Sequence, residues 1–77
     1  MALISDATTT WSAPIQLGED EVWQTRFGNV FITTSATPAP NDGFNLVQGE
    51  GVLLRAGREV RYRKEGSTDA LIVREAV

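Results

Sequence analysis

The last third of the chain alternates apolar and polar residues with the period of a β-strand. In the segment REVRYRKEG, Val60 and Tyr62 fall on one side of an extended backbone. The other side carries only charged residues, namely Glu59, Arg61, Arg63 and Glu65. A strand with this pattern buries one face and exposes the other. The segment therefore predicts a core of Val60 and Tyr62 beneath a charged outer face.

A second strand follows over residues 70–76, after the loop sequence GSTD. Because Gly, Ser and Asp favour turns, we predict that this strand forms a hairpin with the one before it. Leu71 and Val73 extend the core face of the hairpin, and Ile72 and Arg74 lie opposite. Since Ile72 interrupts the alternation, we expect the strand to be covered in part on both faces.

Runs of β-branched and aromatic residues, bounded by Gly, Asn, Asp and Pro, recur along the chain, whereas no 3.6-residue apolar stripe does. We predict seven strands, near residues 8–16, 21–27, 29–35, 44–48, 51–55, 59–65 and 70–76. A chain of 77 residues is one domain in length. The expected fold of residues 1–77 is all-β, a small antiparallel β-sandwich or a Greek-key or jelly-roll-like barrel of about seven short strands.

Three further expectations concern the first half of the chain. Trp23 and Phe27 occupy alternate positions of one strand, which predicts that both face the core. The segment SATPAPNDG, residues 35–43, is too long for a tight turn, and we expect it to cross from one sheet to the other. Residues 1–14 are rich in Thr, Ser and Ala, and form either an N-terminal arm or an edge strand that Trp11 anchors.

The chain contains neither His nor Cys, which limits the chemistry open to it. Serine-type catalysis lacks its usual base, and a Ser–Lys variant would have to use Lys64, the only lysine, at an expected exposed hairpin end. We therefore expect no catalytic residues, no metal site and no cofactor. No apolar run is long enough to span a membrane and the start lacks a signal peptide, so we expect a soluble protein made in the cytoplasm.

The net charge of -3 conceals an uneven distribution. Residues 1–54 hold six acidic side chains against Arg26 alone, a charge of -5, whereas residues 55–77 hold six basic against four acidic ones, a charge of +2. Oppositely charged parts can pair between copies of one chain. Small domains without disulfides or a metal often gain stability by oligomerisation, so we expect self-association.

The order of segments in residues 20–77 carries a resemblance. VWQTRFGNVFITTSATPAP followed by GFNLVQGEGVLLRAGREVRYRKEGSTDALIVREAV resembles small β proteins encoded among the virion genes of tailed bacteriophages and prophages. The resemblance implies a structural protein of a phage or phage-like particle: a head decoration, spike or head-tail accessory protein. It also implies a homo-oligomer, with a trimer favoured, contacts with other virion proteins, and a place in the virion after assembly in the host cytoplasm.

Aromatic and Arg side chains dominate the energy of protein interfaces. We therefore predict that Trp11, Arg61 and Arg63 form the contact surface, with Trp23 in the core. Two other functions are open: a carbohydrate- or ligand-binding β module with an exposed Trp as its platform, and a small barrel that binds single-stranded nucleic acid through R-x-V-R-Y-R-K. The acidic net charge disfavours nucleic acid, as do the opposite directions of Tyr62 and its flanking arginines.

Overall fold

The computed structural model describes residues 2–77, which form an all-β fold. Its strands are β1 (Ala2–Ile4), β2 (Ile15–Gln16), β3 (Glu21–Phe27), β4 (Val30–Thr33), β5 (Phe44–Leu46), β6 (Gly51–Leu54), β7 (Glu59–Lys64) and β8 (Leu71–Ala76). They form two four-stranded antiparallel sheets: sheet 1 in the order β1-β8-β3-β6, and sheet 2 in the order β2-β7-β4-β5. The predicted all-β, antiparallel sandwich is confirmed.

The N-terminal part of the chain differs from the predicted strand over residues 8–16. Only Ile15–Gln16 of that range is a strand, paired with Val60 and Glu59 of β7. Upstream, isolated backbone bonds join the segment to β7: Lys64 N–H donates to Thr8 O, at 2.8 Å. Ala2–Ile4 forms the additional strand, at the edge of sheet 1. The count is therefore eight strands, and the first two are short.

The connections between strands overturn two predictions. Among the eight described strands, only β4 and β5 are both consecutive in sequence and adjacent in a sheet. The predicted hairpin of β7 and β8 is therefore wrong, because residues 65–70 form an arch between the sheets, which in a sandwich lie about 10 Å apart. The expected crossing by residues 35–43 is also wrong, since this segment returns to sheet 2 and joins two paired strands.

The core lies between the sheets and contains the aromatic pair Trp23 and Tyr62, whose ring centroids are 6.1 Å apart. Trp23 and Val60 are fully buried and Tyr62 nearly so, which confirms these three core predictions. The largest fully buried side chains are those of Trp23, Leu17, Ile32, Ile72, Val30, Val60 and Thr25.

Strand register places three predicted core residues on the outer side of sheet 1. A β-bulge between Thr25 and Phe27 adds one residue to β3, so Phe27 lies on the outer face, about half exposed. In β8, Ile72 pairs with the buried Thr25 and lies in the core. Leu71 and Val73 therefore lie on the outer side of sheet 1, since successive side chains alternate between faces. Leu71 is half-buried, but Val73 is only 8% exposed, so its predicted burial is confirmed although its side of the sheet is not. With Ile72 also buried, β8 is covered in part on both faces, as expected.

Candidate interaction surfaces

The outer face of sheet 2 contains Arg63, one of the predicted contact residues. Arg63 points outward as the alternation predicts, yet it is only 7% exposed, so its predicted exposure is wrong. Its Cζ lies 4.2 Å from the centroid of the Phe31 ring and 5.5 Å from that of Trp11. Phe31 is its cross-strand neighbour on β4. We call Trp11, Phe31 and Arg63 the guanidinium clamp; such cation–π contacts are worth about 1–2 kcal/mol when desolvated.

The guanidinium clamp holds the loop of residues 34–43 against sheet 2. Arg63 Nε donates to Pro40 O at 2.7 Å, and its Nη1 donates to Lys64 O at 3.1 Å. Trp11 Nε1 donates to Ala39 O at 2.9 Å. Two side chains from distant parts of the sequence thus bind adjacent carbonyl groups of one loop. The structure brings Trp11 and Arg63 together, and their polar groups bind the chain's own backbone.

Arg61, the third predicted contact residue, also binds backbone. Its half-buried side chain donates from Nη1 to Ser12 O at 3.3 Å. The Ser12 hydroxyl in turn accepts a bond from Tyr62 N–H at 3.0 Å, and Ser12 N–H donates to Tyr62 O at 2.9 Å. Arg61 therefore helps to attach the N-terminal segment to β7.

Tyr62 lies at the inner end of a polar cleft of about 360 Å³ between the N-terminal segment and β7. Its hydroxyl donates to Asp6 Oδ1 at 2.8 Å. Burial, and then the bond to Asp6, raises the pKa of Tyr62 to about 12. Hydroxyl groups of Thr8, Thr10 and Ser12 line the same cleft. Because the Tyr62 ring packs on Trp23, it offers no platform on which a base could stack.

A partly buried ion pair on the inner face of sheet 1 is absent from the sequence predictions. Arg74 donates from Nε to Glu21 Oε1 at 2.8 Å and from Nη2 to Oε2 at 2.9 Å. Trp23 Nε1 donates to Glu21 Oε1 at 3.0 Å, and Arg74 stacks over the Trp23 ring. The bonds from Arg74 lower the pKa of Glu21 against the opposing effect of burial. The Glu-x-Trp spacing, which places both side chains on one strand face, was the available signal.

The outer face of sheet 1 is largely apolar and largely exposed, with the polar Gln24 beside the buried Val73 at its centre. Register pairs Leu3 with Val73, Val22 with Leu53 and Phe27 with Leu71, and directly paired residues lie on the same face. We call these six residues the apolar face. Four of them are strongly exposed, at 52% for Leu3, 42% for Val22, 51% for Phe27 and 46% for Leu53.

Sequence reasoning missed the apolar face because it assigned one covered side to every strand except the one over residues 70–76. The available signal was the apolar character of strands on both sides: Val22 adjoins the core residue Trp23, and Leu53 adjoins the core residue Leu54. Ile72, which breaks the alternation of β8, was a signal of the same kind. Strands that are apolar on both sides are typical of sheets covered on both faces.

No helix within residues 2–77 has the length and apolar character needed to cross a membrane. The same residues hold no group of three or more Asp, Glu, His or Cys side chains arranged to ligate a metal ion. Comparisons of the chain with protein-family models, with curated proteins and with solved structures found no match. The fold and its surfaces define a small two-sheet β-sandwich with one face covered by its own loops and one apolar face bare.

Proposed function

We propose that the protein is a structural assembly module, which acts through protein–protein contacts and carries out no catalysis. The apolar face is the observation that carries this proposal, because four large side chains on neighbouring strands are each more than 40% exposed. Contiguous apolar patches on small proteins mark interaction sites. Their burial contributes about 25 cal/mol per Å² of apolar surface removed from water.

The resemblance of residues 20–77 to phage virion proteins supports a phage or phage-like particle as the setting. In that setting the protein is a head decoration, spike or head-tail accessory protein, and its partners are other virion proteins as well as copies of itself. It reaches the virion by assembly in the host cytoplasm. Such a role needs a shape-matched surface and no reactive group.

The proposed contact surface differs from the one that the sequence predicted. Trp11, Arg61 and Arg63 bind carbonyl groups of the chain itself, which leaves few of their polar atoms for a partner. The apolar face makes no comparable internal contact on its outer side. The role of Trp11, Arg61 and Arg63 at an interface stays a prediction, and we propose the apolar face as the main contact.

Incorporation into particles tests the proposed function. Particles from the strain that encodes the chain are separated on a density gradient, and the tagged protein is followed through the fractions. We expect the wild-type protein to sediment with particles and the double variant Val22→Glu with Leu53→Glu to remain at the top. A matched control, Ala36→Glu with Ser67→Glu, adds the same two charges on exposed loops and is expected to sediment with particles.

Two results would contradict the proposal in different ways. Wild-type protein that stays entirely in the free fractions removes the virion role. Wild-type protein and the Val22→Glu, Leu53→Glu variant that sediment equally show that the contact lies elsewhere on the molecule. Circular dichroism of both double variants confirms that each remains folded.

A second candidate function, the binding of a small carbohydrate, is favoured by the polar cleft. Five residues with hydroxyl or carboxylate groups line one opening together with Ala13, Pro14 and Ile15, and polyhydroxylated ligands are bound by groups of this type. Titration of a panel of simple sugars, followed by amide NMR shifts, tests it. Binding at the cleft shifts amides of residues 6–15 and of β7 alone; the absence of shifts with every sugar removes the candidate.

A further inference from the structure

We propose that the apolar face binds the same face of a second copy of this chain, as a dimer with two-fold symmetry. The inference rests on the proposed function, because it names the partner of the surface that the function uses. The argument depends on three properties of the face: the positions of its charges, the order of its side-chain rows, and its area.

Opposite charges lie at the two ends of the apolar face. Glu75 pairs with Val22 at one end, and the exposed Arg26 follows Thr25 at the other end of β3. Arg26 lies four positions after Val22, a distance of roughly 13 Å along an extended strand. Neither charged side chain has a hydrogen-bonded partner among residues 2–77, so both are available to another molecule.

Only one orientation of a two-fold axis in the plane of the face brings opposite charges of the two copies together. An axis in the plane of the face and perpendicular to the strands reverses strand direction, so Arg26 of each copy lies at the Glu75 end of the other. The remaining sideways offset is one strand spacing, about 4.8 Å, which an Arg side chain can span. An axis parallel to the strands instead places like charges together, which is destabilising.

The same axis matches the apolar rows of the two copies. The middle row, which contains the axis and meets its own counterpart, consists of Leu3, Val73 and the polar Gln24, whose amide can bond to the same group of the other copy. The row of Val22 and Leu53 in each copy then faces the row that contains Phe27 in the other. Smaller side chains thus oppose a larger one, as interdigitation between stacked sheets about 10 Å apart requires.

The area of the face limits the strength and the stoichiometry of the contact. Four strands about 4.8 Å apart and on average about five residues long give a projected area of roughly 330 Å² on each copy. The total of about 660 Å² lies below the 1,200–2,000 Å² typical of stable specific interfaces, so the dimer is weak and concentration-dependent. A contact between like faces closes at two copies, whereas the resemblance to virion proteins implied a trimer.

Sedimentation velocity with charge-reversal variants tests the dimer. We expect wild-type protein to pass reversibly from monomer to dimer as its concentration rises from about 1 μM to about 1 mM. Arg26→Glu leaves both ends of the face negative and Glu75→Arg leaves both ends positive, so each single variant is expected to dimerise about tenfold more weakly. An equimolar mixture of the two variants is expected to form a heterodimer more strongly than either forms a homodimer.

The outcomes separate this inference from the proposed function. Wild-type protein that is monomeric throughout, a trimer, or single variants that dimerise as wild-type does would each overturn the dimer. If the dimer fails while particle incorporation still depends on Val22 and Leu53, the assembly role stands with another partner. If the dimer forms but no protein sediments with particles, the dimer stands and the virion role fails.

Discussion

The two outer faces of this sandwich differ in how far the chain's own loops cover them. On sheet 2, the loop of residues 34–43 and the N-terminal segment cover the strands, and Arg63 binds both the loop and the Trp11 ring. On sheet 1, Val73 is buried at the centre of the outer face, whereas Leu3 and Leu53 on either side of it are about half exposed. The face that looks charged in sequence is closed by the chain itself, and the face that looks ordinary is open.

The difference shows that charge in a strand does not identify a contact surface. A guanidinium can stack on aromatic rings and donate to several carbonyls at once, which makes it a good internal fastening. Exposed aliphatic residues have no such internal partner. Four experiments test the comparison, in order of decreasing expected effect.

Removing the Arg63 side chain should open the covered face. Arg63→Ala loses two hydrogen bonds to carbonyls and both ring contacts, so we expect the free energy of unfolding to fall by about 3 kcal/mol in urea titrations. Arg58→Ala removes an exposed arginine near the start of β7, and we expect it to change the free energy of unfolding by less than about 0.5 kcal/mol. Equal effects in the two variants would show that the clamp does not fasten the loop.

The return of the loop to sheet 2 depends on Gly43. A Cβ at this position would lie 2.5 Å from Ile32 O, and the backbone φ is 93°. Gly49 has the same φ, and a Cβ there meets nothing within 4 Å. Gly49→Ala therefore measures backbone strain alone, about 1 kcal/mol, and we expect Gly43→Ala to cost about 2 kcal/mol more. Thermal or urea unfolding that gives equal losses would contradict the close approach.

The ion pair of Glu21 and Arg74, on the opposite side of sheet 1 from the apolar face, should make the free energy of unfolding fall at acid pH. Because Arg74 lowers the pKa of Glu21 from its ordinary value of 4.5, this stabilisation is complete above pH 4.5 and is lost as the pH falls through the folded-state pKa. Glu21→Gln removes this titration, so its loss of stability on acidification should be smaller than that of wild-type by about 1 kcal/mol.

Unfolding of Glu21→Gln, wild-type and the exposed control Glu59→Gln in urea at pH 6 and pH 3 measures this difference. The control should follow the wild-type protein, because its carboxylate is exposed and forms no ion pair within residues 2–77. If Glu21→Gln and wild-type lose equal stability between the two pH values, the Glu21 carboxylate does not contribute as proposed.

Substitutions on the apolar face should have the smallest effect on the free energy of unfolding. Val22→Thr keeps the branch at Cβ, and Leu53→Thr introduces one, which suits a strand; both positions are exposed on the outer side of sheet 1. The free energy of unfolding of the monomer should therefore change by less than about 0.5 kcal/mol for each variant. Unfolding at low protein concentration measures this without a contribution from association. A large loss in the dilute protein would mean that these side chains support the monomer fold.

Local pattern predicted much of the fold, because strand alternation depends on near neighbours. Val60, Tyr62 and Trp23 lie in the core as their spacing indicates. The pairing of strands depends on distant segments, and the sequence favoured a local hairpin over the observed arch. The single extra residue of the bulge before Phe27 also left no clear mark in the pattern, although it reverses the side on which that ring lies.

The candidate surfaces could be predicted only in part for the same reason. Trp11 and Arg63 are indeed close in space, but what covers them comes from Ala39 and Pro40, more than 20 residues away from either. Alternation gives the direction of a side chain, and it does not say whether another segment lies above it. The apolar face was missed because its exposure depends on the paths of the loops, which strand alternation does not predict.

The position of β8 has a consequence for how the molecule is made. The strand lies inside sheet 1, between β1 and β3, although it is the last of the eight described strands in sequence order. Strands β1 and β3 therefore cannot pair with β8, which lies between them, until residues 71–76 have been synthesised. Folding on the ribosome cannot complete sheet 1 early, and the long separation of its pairs favours slow folding.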